Sequence, residues 1–309
     1  MDVVFLGNAP WSVPSLAAAA ASSHRVVSVL TRVPRPAGRG GAPKPTAVAE
    51  AARALALPVE EVETVKAGPG LEALRGAGPE VLVVVAYGEI LPPEVLALPS
   101  VAPVNVHFSL LPALRGANPV GRAILDGLAV TGVTTMRMDA GLDTGPILLQ
   151  REEPIRDEDD AGSLGARLAE LGGRLLVETL DGLGAGRIEE RAQDEAGATV
   201  APKFREEDEW LDWTEEAERV WRRIRALAPE PGARTRFRDR VLKVFRARPV
   251  DDGGRPGEVL EARHDLVVAA GRGAVALDEV LPEGRRRMTG AEFARGRRVE
   301  RGELLEGRP

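Results

Sequence analysis

An α/β domain built on a parallel sheet, followed by a small all-β barrel domain, is the architecture this chain predicts. Three observations carry the prediction. Short β-branched runs alternate with helix-forming stretches through residues 1 to 180. Short strands separated by Gly or Asp turns follow at fairly regular spacing in the carboxy-terminal third. The 309 residues are also long for one core and comfortable for two.

Val3-Val4-Phe5-Leu6-Gly7 is a short apolar run ending in Gly, a buried strand that enters a tight loop. Residues 13 to 22, with Ala from 18 to 21, favour helix. Val26 to Leu30 and Val81 to Val85 are two more strands bounded by turn residues, with the helix-forming stretch Ala47 to Leu55 between them. Val104 to Val106 and Val133 to Met136 bracket a helical segment, Pro119 to Leu125, so Asn105-Val106-His107 leaves the carboxyl end of a strand, where open parallel sheets usually bind ligands. Leu164 to Leu180 has strong helical character and closes the first domain.

Residues 181 to 208 mix Gly with charges and carry little periodicity, which reads as a linker region with some ordered contacts. After a short helix at 215 to 227 come Val241 to Val244, Gly257 to Leu260, Asp265 to Ala269 and Ala274 to Leu277, the strands of the expected barrel. The expected boundaries are 1–189 for the first domain, 190–207 for the linker and 208–309 for the second domain.

The absence of Cys excludes disulfides, thiolate metal sites and a Cys nucleophile, and fits a reducing compartment, so the cytoplasm is the expected location. No apolar stretch approaches the roughly 18 residues of a membrane helix, and the amino terminus lacks a secretory pattern. No metal is expected either, since no second His or Cys lies near His107. Gly7-Asn8-Ala9-Pro10 lacks the full dinucleotide fingerprint, which leaves a nicotinamide cofactor weakly supported.

Charge is uneven along the chain. Residues 219 to 309 hold 22 Lys plus Arg against 14 Asp plus Glu, a balance of +8, and the preceding residues hold 19 against 33, a balance of −14. A basic third on an acidic body suggests a polyanion partner, although a general bias toward Arg over Lys would also produce it. A second basic segment, residues 31 to 45, contains Arg32, Arg35, Arg39 and Lys44 and no acidic residue. It could follow a phosphate backbone or be a solvated surface loop.

Asn105, His107 and Asp143 are the candidate chemical groups. An Asn amide can donate to an oxygen that becomes negative when a carbonyl is attacked, and a His can do so when protonated. In an extended segment, residues two apart point to the same side, so Asn105 and His107 would share a face. A carboxylate beside the ring fixes its orientation and stabilises the imidazolium, the role expected of Asp143. Each has a plainer reading alone: a loop His satisfied by backbone, a turn-capping amide, and a turn Asp within Gly-Leu-Asp-Thr-Gly. His24 and His264 read as solvated loop residues.

Together the segments resemble the methionyl-tRNA formyltransferase family over nearly the whole chain. The resemblance rests on Gly7 to Leu16, Arg35-Pro-Ala-Gly-Arg-Gly, Val84-Val-Ala-Tyr-Gly-Glu-Ile-Leu-Pro, Asn105-Val-His-Phe-Ser-Leu-Leu-Pro with Arg115-Gly, Met138-Asp-Ala-Gly-Leu-Asp-Thr-Gly, Ala201-Pro-Lys and Gly284-Arg-Arg-Arg-Met. It implies a Rossmann-like formyltransferase domain and an OB-like, tRNA-holding barrel. It also implies 10-formyltetrahydrofolate as formyl donor and methionyl-initiator tRNA as acceptor. Asn105, His107 and Asp143 match the family's catalytic residues. Ser109, Leu110, Leu111 and Pro112 match its folate-contacting segment, and Leu91 and Asp139 fall in loops that border the pterin. Arg39 matches the loop arginine used against the acceptor stem, with Arg35 and Lys44 beside it. No membrane partner is implied, and a monomer is expected.

The chain departs from the family at Asn8-Ala9, where Thr-Pro is usual, and at Glu230, where an aromatic is usual. The Asn, His, Ser-Leu-Leu-Pro and Asp pattern alone is shared with relatives that formylate other amines. A sugar-nucleotide formyltransferase, and a non-catalytic RNA-binding protein that kept the fold, are therefore the alternatives.

Overall fold

Apolar β-branched runs such as Val3 to Leu6 and Val81–Val85 build the centre of the first unit, because a parallel sheet covered on both faces leaves its central strands no position for water. The computed structural model describes residues 1–36, 41 and 43–308, with only the backbone of Arg35 and Pro36. The chain divides into residues 1–119, 130–154 and 165–201 as one compact unit, and 120–129, 155–164 and 202–309 as the other.

The elements run in chain order as β1 (Asp2–Gly7), α1 (Val13–Ala20), β2 (Arg25–Arg32), a short ribbon of β3 (Arg35–Pro36) and β4 (Pro43–Lys44), α2 (Ala47–Ala54), β5 (Val59–Val62), α3 (Gly68–Ala77), β6 (Val81–Val85), α4 (Pro93–Leu96), β7 (Ala102–His107), α5 (Pro119–Leu125), β8 (Val130–Arg137), β9 (Ile147–Pro154) and α6 (Ala161–Gly184). Then follow α7 (Ala217–Leu227), β10 (Ala233–Phe237), β11 (Arg240–Val250), β12 (Val259–Glu261), β13 (Val267–Ala269), β14 (Ala274–Pro282), β15 (Met288–Thr289), α8 (Gly290–Arg297) and β16 (Leu305–Glu306).

In the first unit the sheet order is β5-β2-β1-β6-β7-β8-β9. The strands from β5 to β7 are parallel, and β8 and β9 extend the sheet antiparallel. Every residue of β6 is buried, as are Val3 to Leu6 of β1, so each large aliphatic contributes roughly 1.5–3 kcal/mol of burial. The chain winds outward from β1 through β2 to β5 and returns to β6 on the other side of β1. That reversal opens a crevice at the carboxyl ends of β1 and β6.

Asn8, one of the departures from the family pattern, sits at that crevice. Its amide Nδ2 donates to the Tyr87 carbonyl, and its Oδ1 accepts from Thr31 Oγ1 and Arg32 N, both at 2.9 Å. One side chain thus ties together the ends of β1, β2 and β6.

The second unit is an antiparallel barrel. Its strand order is β12-β13-β14-β11-β10-β16, with β15 paired to β14. Backbone bonds from Val259 N to Glu303 O (2.8 Å), from Gly302 N to Val259 O (2.9 Å) and from Leu305 N to Gly257 O (2.8 Å) join the last strand back to β12 and close the ring. Val220, Ile224 and Leu227 lie three and four residues apart on α7 and enter the core beside Trp213, Phe237 and Phe293. Trp213 Nε1 donates to Thr235 Oγ1 at 3.0 Å, which satisfies the polar edge of a ring that is 3% exposed. Thr289 and Glu292 form a reciprocal capping box that starts α8.

His24 corrects one expectation. Its side chain is 6% exposed rather than solvated, with Nε2 3.0 Å from Asp181 of α6 and Nδ1 3.3 Å from the Met1 amine. The Ser-Ser-His-Arg sequence gives no sign of this, because both partners are distant in the chain or at its start. Among the described residues no helix is long and apolar enough to cross a membrane.

Candidate active site

Asn105 and His107 belong to β7 itself, not to the loop after it. Both are paired to β8, Asn105 with Met136 and His107 with Thr134, and Asn105 is also paired to Val84 of β6. Strand alternation puts their side chains on one face, as the i, i+2 spacing predicts. Rigid strand pairing on β7 gives this face a precision that a loop would not. Asn105 is half-buried, and its amide has no hydrogen-bond partner among the described residues. His107 is 6% exposed, and its Nε2 lies 2.9 Å from the Leu114 carbonyl. A carbonyl only accepts, so Nε2 carries the hydrogen and Nδ1 is the ring nitrogen left for other work.

The segment after β7 is shaped from behind. Thr134 Oγ1 donates to the Ser109 carbonyl at 2.7 Å and accepts from Leu111 N at 3.1 Å, while Gln150 Nε2 donates to the Leu111 carbonyl at 2.8 Å. Ser109 is fully buried and turns its hydroxyl to the Ala113 carbonyl at 2.6 Å. Leu111 is buried, and Leu110 and Pro112 are half-buried.

Asp143 arrives from the β8–β9 connection in the left-handed region, at φ +54°. A non-glycine residue persists there only when its surroundings over-determine it. Its Oδ2 accepts from Gly116 N at 2.7 Å and stands 3.7 Å from His107 Nδ1. That separation is an ion-pair distance, not a hydrogen bond, so the ring orientation is set chiefly by Leu114 and the charge environment by Asp143. Asp139 holds the front of the same connection, accepting from Gly141 N at 3.0 Å and Thr144 Oγ1 at 2.8 Å. Gly145 ends it because a Cβ there would stand 1.9 Å from the Arg137 carbonyl oxygen.

A second set of residues, of which only Arg115 falls within the family motifs, braces these groups. Arg115 is 7% exposed, and its guanidinium donates to Gln193 Oε1 at 3.0 and 2.8 Å and to Glu195 at 3.0 and 2.8 Å. The hydrogen bond from Arg115 holds the Glu195 carboxyl below its ordinary value. Gln193 Nε2 donates to the carbonyls of Asp143 and Gly145, both at 2.7 Å. Thr199 Oγ1 accepts from Leu114 N at 2.8 Å. These partners lie in the stretch expected to be a linker. Its sequence shows no period because it runs across the sheet edge as a strap rather than as an element.

Other expected site residues fall as follows. Leu91 is 3% exposed and packs in a cluster with Tyr87 and Val95, with Met138 against it. Burial pushes the Tyr87 hydroxyl well above its ordinary value. Lys44 is exposed on β4, paired in backbone register with Arg35. Arg39 lies outside the described residues. No group of three or more His, Cys, Asp or Glu among the described residues is arranged to hold a metal ion.

Residues 1–180 match the formyl transferase family, and residues 203–298 match its C-terminal domain. The methionyl-tRNA formyltransferase of Solibacter usitatus (strain Ellin6076) is 47% identical over 99% of this chain and 98% of its own. The chain belongs to the methionyl-tRNA formyltransferase family. In this member of the family His107 and Asp143 stand 3.7 Å apart, and Asn105 lies two residues before His107 on the same face of its strand. Among solved structures, the N-formyltransferase of Helicobacter canadensis, crystallised with folinic acid and dTDP-3-aminofucose, has the same fold. It aligns with TM-score 0.67 at 17% identity over 89% of this chain and 98% of that one. HypX from Aquifex aeolicus, crystallised with tetrahydrofolic acid, aligns with TM-score 0.65 at 20% identity over 94% of this chain but only 46% of that longer protein.

Proposed function

We propose that this chain transfers the formyl group of 10-formyltetrahydrofolate to the α-amine of methionyl-initiator tRNA, as a cytoplasmic monomer. The observation that carries the reading is the 3.7 Å approach of His107 and Asp143 at the carboxyl end of β7, with Asn105 on the same strand face as His107. The match to a methionyl-tRNA formyltransferase over almost the full length of both chains supports the acceptor. In this reading residues 1–189 carry the chemistry, residues 208–309 hold tRNA, and 190–207 join them.

The amine nitrogen attacks the formyl carbon, a C–N bond forms, and charge gathers on the formyl oxygen. The Asn105 amide donates to that oxygen, and the His107 imidazolium stabilises it from Nδ1. The attacking amine must lose a proton. Asp143, with one carboxylate oxygen on Gly116 N and the His107 ring beside it, takes the proton through water and passes it to the folate nitrogen as the second C–N bond breaks. The donor lies along residues 109–112, near Leu91 and Asp139. Ser109 and Leu111 serve it by shaping the segment, since both side chains are turned inward.

Phosphates of the acceptor meet Arg35, Arg39 and Lys44 and the barrel. Among the described residues Arg240, Arg295, Arg297 and Arg298 of the barrel have no ion-pair partner, so their charge is available to a polyanion. Purified protein supplied with the formyl folate should formylate initiator methionyl-tRNA and discriminate against the elongator form. Absence of product with initiator methionyl-tRNA, or product only with an amino sugar nucleotide, refutes the reading. Binding of tRNA should weaken steeply with salt.

A further inference from the structure

The least expected feature of the site is that residues 114–116 anchor both of its ionisable groups. Leu114 O fixes His107 through Nε2, and two residues later Gly116 N fixes Asp143 through Oδ2. A distortion of this short run therefore changes how His107 and Asp143 sit against each other. Its backbone is unrelaxed at Leu114, at φ +60°, as is Asp143 opposite it at φ +54°. A buried Leu in the left-handed region is costly, so something must hold it there.

Gln193 is the residue that spans both sides. Its two amide hydrogens go to the carbonyls of Asp143 and Gly145, and its amide oxygen takes two hydrogens from the Arg115 guanidinium. All the hydrogen-bonding capacity visible on this one amide is divided between the Asp143 turn and the Arg115 run. We propose that Gln193 is a positioning residue for formyl transfer: acting through Arg115 on one side and the Asp143 turn on the other, it sets the separation of His107 and Asp143. The inference rests on the reading of those two residues as the transfer site.

A Gln is suited to this and a charged residue is not. Glu at 193 could still accept from Arg115 but would set a carboxylate against two carbonyl oxygens, which repel it. Met at 193 fills similar volume and makes neither set of bonds.

The test uses the full-length protein and four variants: Gln193→Met, Gln193→Glu, Asp143→Asn, and Gln193→Met combined with Asp143→Asn. Thermal unfolding confirms the folded state, and steady-state kinetics separates kcat from KM for each substrate. Misplacement of a reacting group by about 1 Å can cost on the order of 10²-fold, so each Gln193 variant should lower kcat about 10- to 100-fold while both KM values stay within about threefold. The double variant should be no slower than Asp143→Asn alone, because Gln193 acts through the group already removed.

Wild-type kcat in a folded Gln193→Glu or Gln193→Met protein overturns the proposal. So does a rise in KM alone, or losses that multiply in the double variant. Loss of the folded state in both Gln193 variants assigns the residue to the fold and also overturns it. If Asp143→Asn itself retains full activity, the reading of the site fails instead, which keeps the two failures apart.

Discussion

The candidate site of the first unit and the arginine-rich surface of the barrel hold their polar side chains by different means. In the first, His107 is fixed by a backbone carbonyl, Asp143 by a backbone N–H and Arg115 by a neutral amide as well as an acid. In the second, arginines pair with nearby carboxylates at the surface, as in Arg219 with Glu215, Arg222 with Glu218, Arg272 with Glu216 and Arg238 with Glu303. Exposed pairs of that kind contribute about 0–1 kcal/mol each and are easily exchanged. Backbone anchors define where an atom sits to within tenths of an ångström. Exchangeable pairs define only how much charge a surface carries. In the proposed reading, moving a proton between two nitrogens calls for the first kind of control, and gripping a polyanion calls for the second.

The sharpest way to break this contrast is to remove a group that the catalytic unit positions. Asn105→Ala should lower kcat by a factor of about 10²–10³ while the thermal midpoint barely moves, since the amide bonds to no described residue. Steady-state rates beside a melting curve check both halves, and a large fall in melting point would make Asn105 a structural residue. The matching change in the barrel should be milder and of another kind. Arg240→Ala combined with Arg297→Ala should weaken tRNA binding several-fold and make log K less steep against log salt, by about 1 for each phosphate no longer neutralised. The effect should appear in KM for tRNA rather than in kcat, and an unchanged salt slope would remove these two arginines from the interface.

The smallest effect concerns Asp212, which precedes the barrel. The Thr214 hydroxyl donates to it at 2.6 Å and the Thr214 backbone N–H at 2.9 Å, and these bonds hold its carboxyl below the ordinary value. A depressed carboxyl stabilises the fold above its unfolded pKa and loses that contribution as pH falls through the folded one. Asp212→Asn should therefore melt slightly lower at neutral pH, with the gap closing below about pH 4. A gap that stays constant through the acid range would show that charge is not what Asp212 contributes.

Strands and chemistry are more legible in the sequence than the scaffold of the site. Val81 to Val85 is legible because burial on both faces forces a continuous β-branched run. Asn105 and His107 are legible because a strand's period puts i and i+2 together. Asp143 emerges from a turn motif, but its left-handed backbone and its distance from His107 depend on bonds made by Gly116 and Gln193. Gln193 is not legible, since it belongs to no helix or strand and its partners lie 48 to 78 residues back in the chain. Strands such as β5 and β9 escape a sequence reading for a related reason. Their mixed residues, Val-Glu-Glu-Val and Ile-Leu-Leu-Gln-Arg-Glu-Glu-Pro, are those of strands at the edges of the sheet, where half the surface meets water.

The seam of the barrel bears on how the chain folds. β10 pairs with β16 through Arg236 opposite Glu306, and residues 302–305 bond to the start of β12, so the ring can close only after its most distant strands are both present. Pairings of such long sequence separation form late and slowly. Until then β10 and β12 offer open edges on which another copy could add a strand. On β10 part of that edge is covered from nearby in the chain: Leu211 N donates to the Arg234 carbonyl at 2.8 Å, and the Arg234 guanidinium pairs with Glu206 and Glu209.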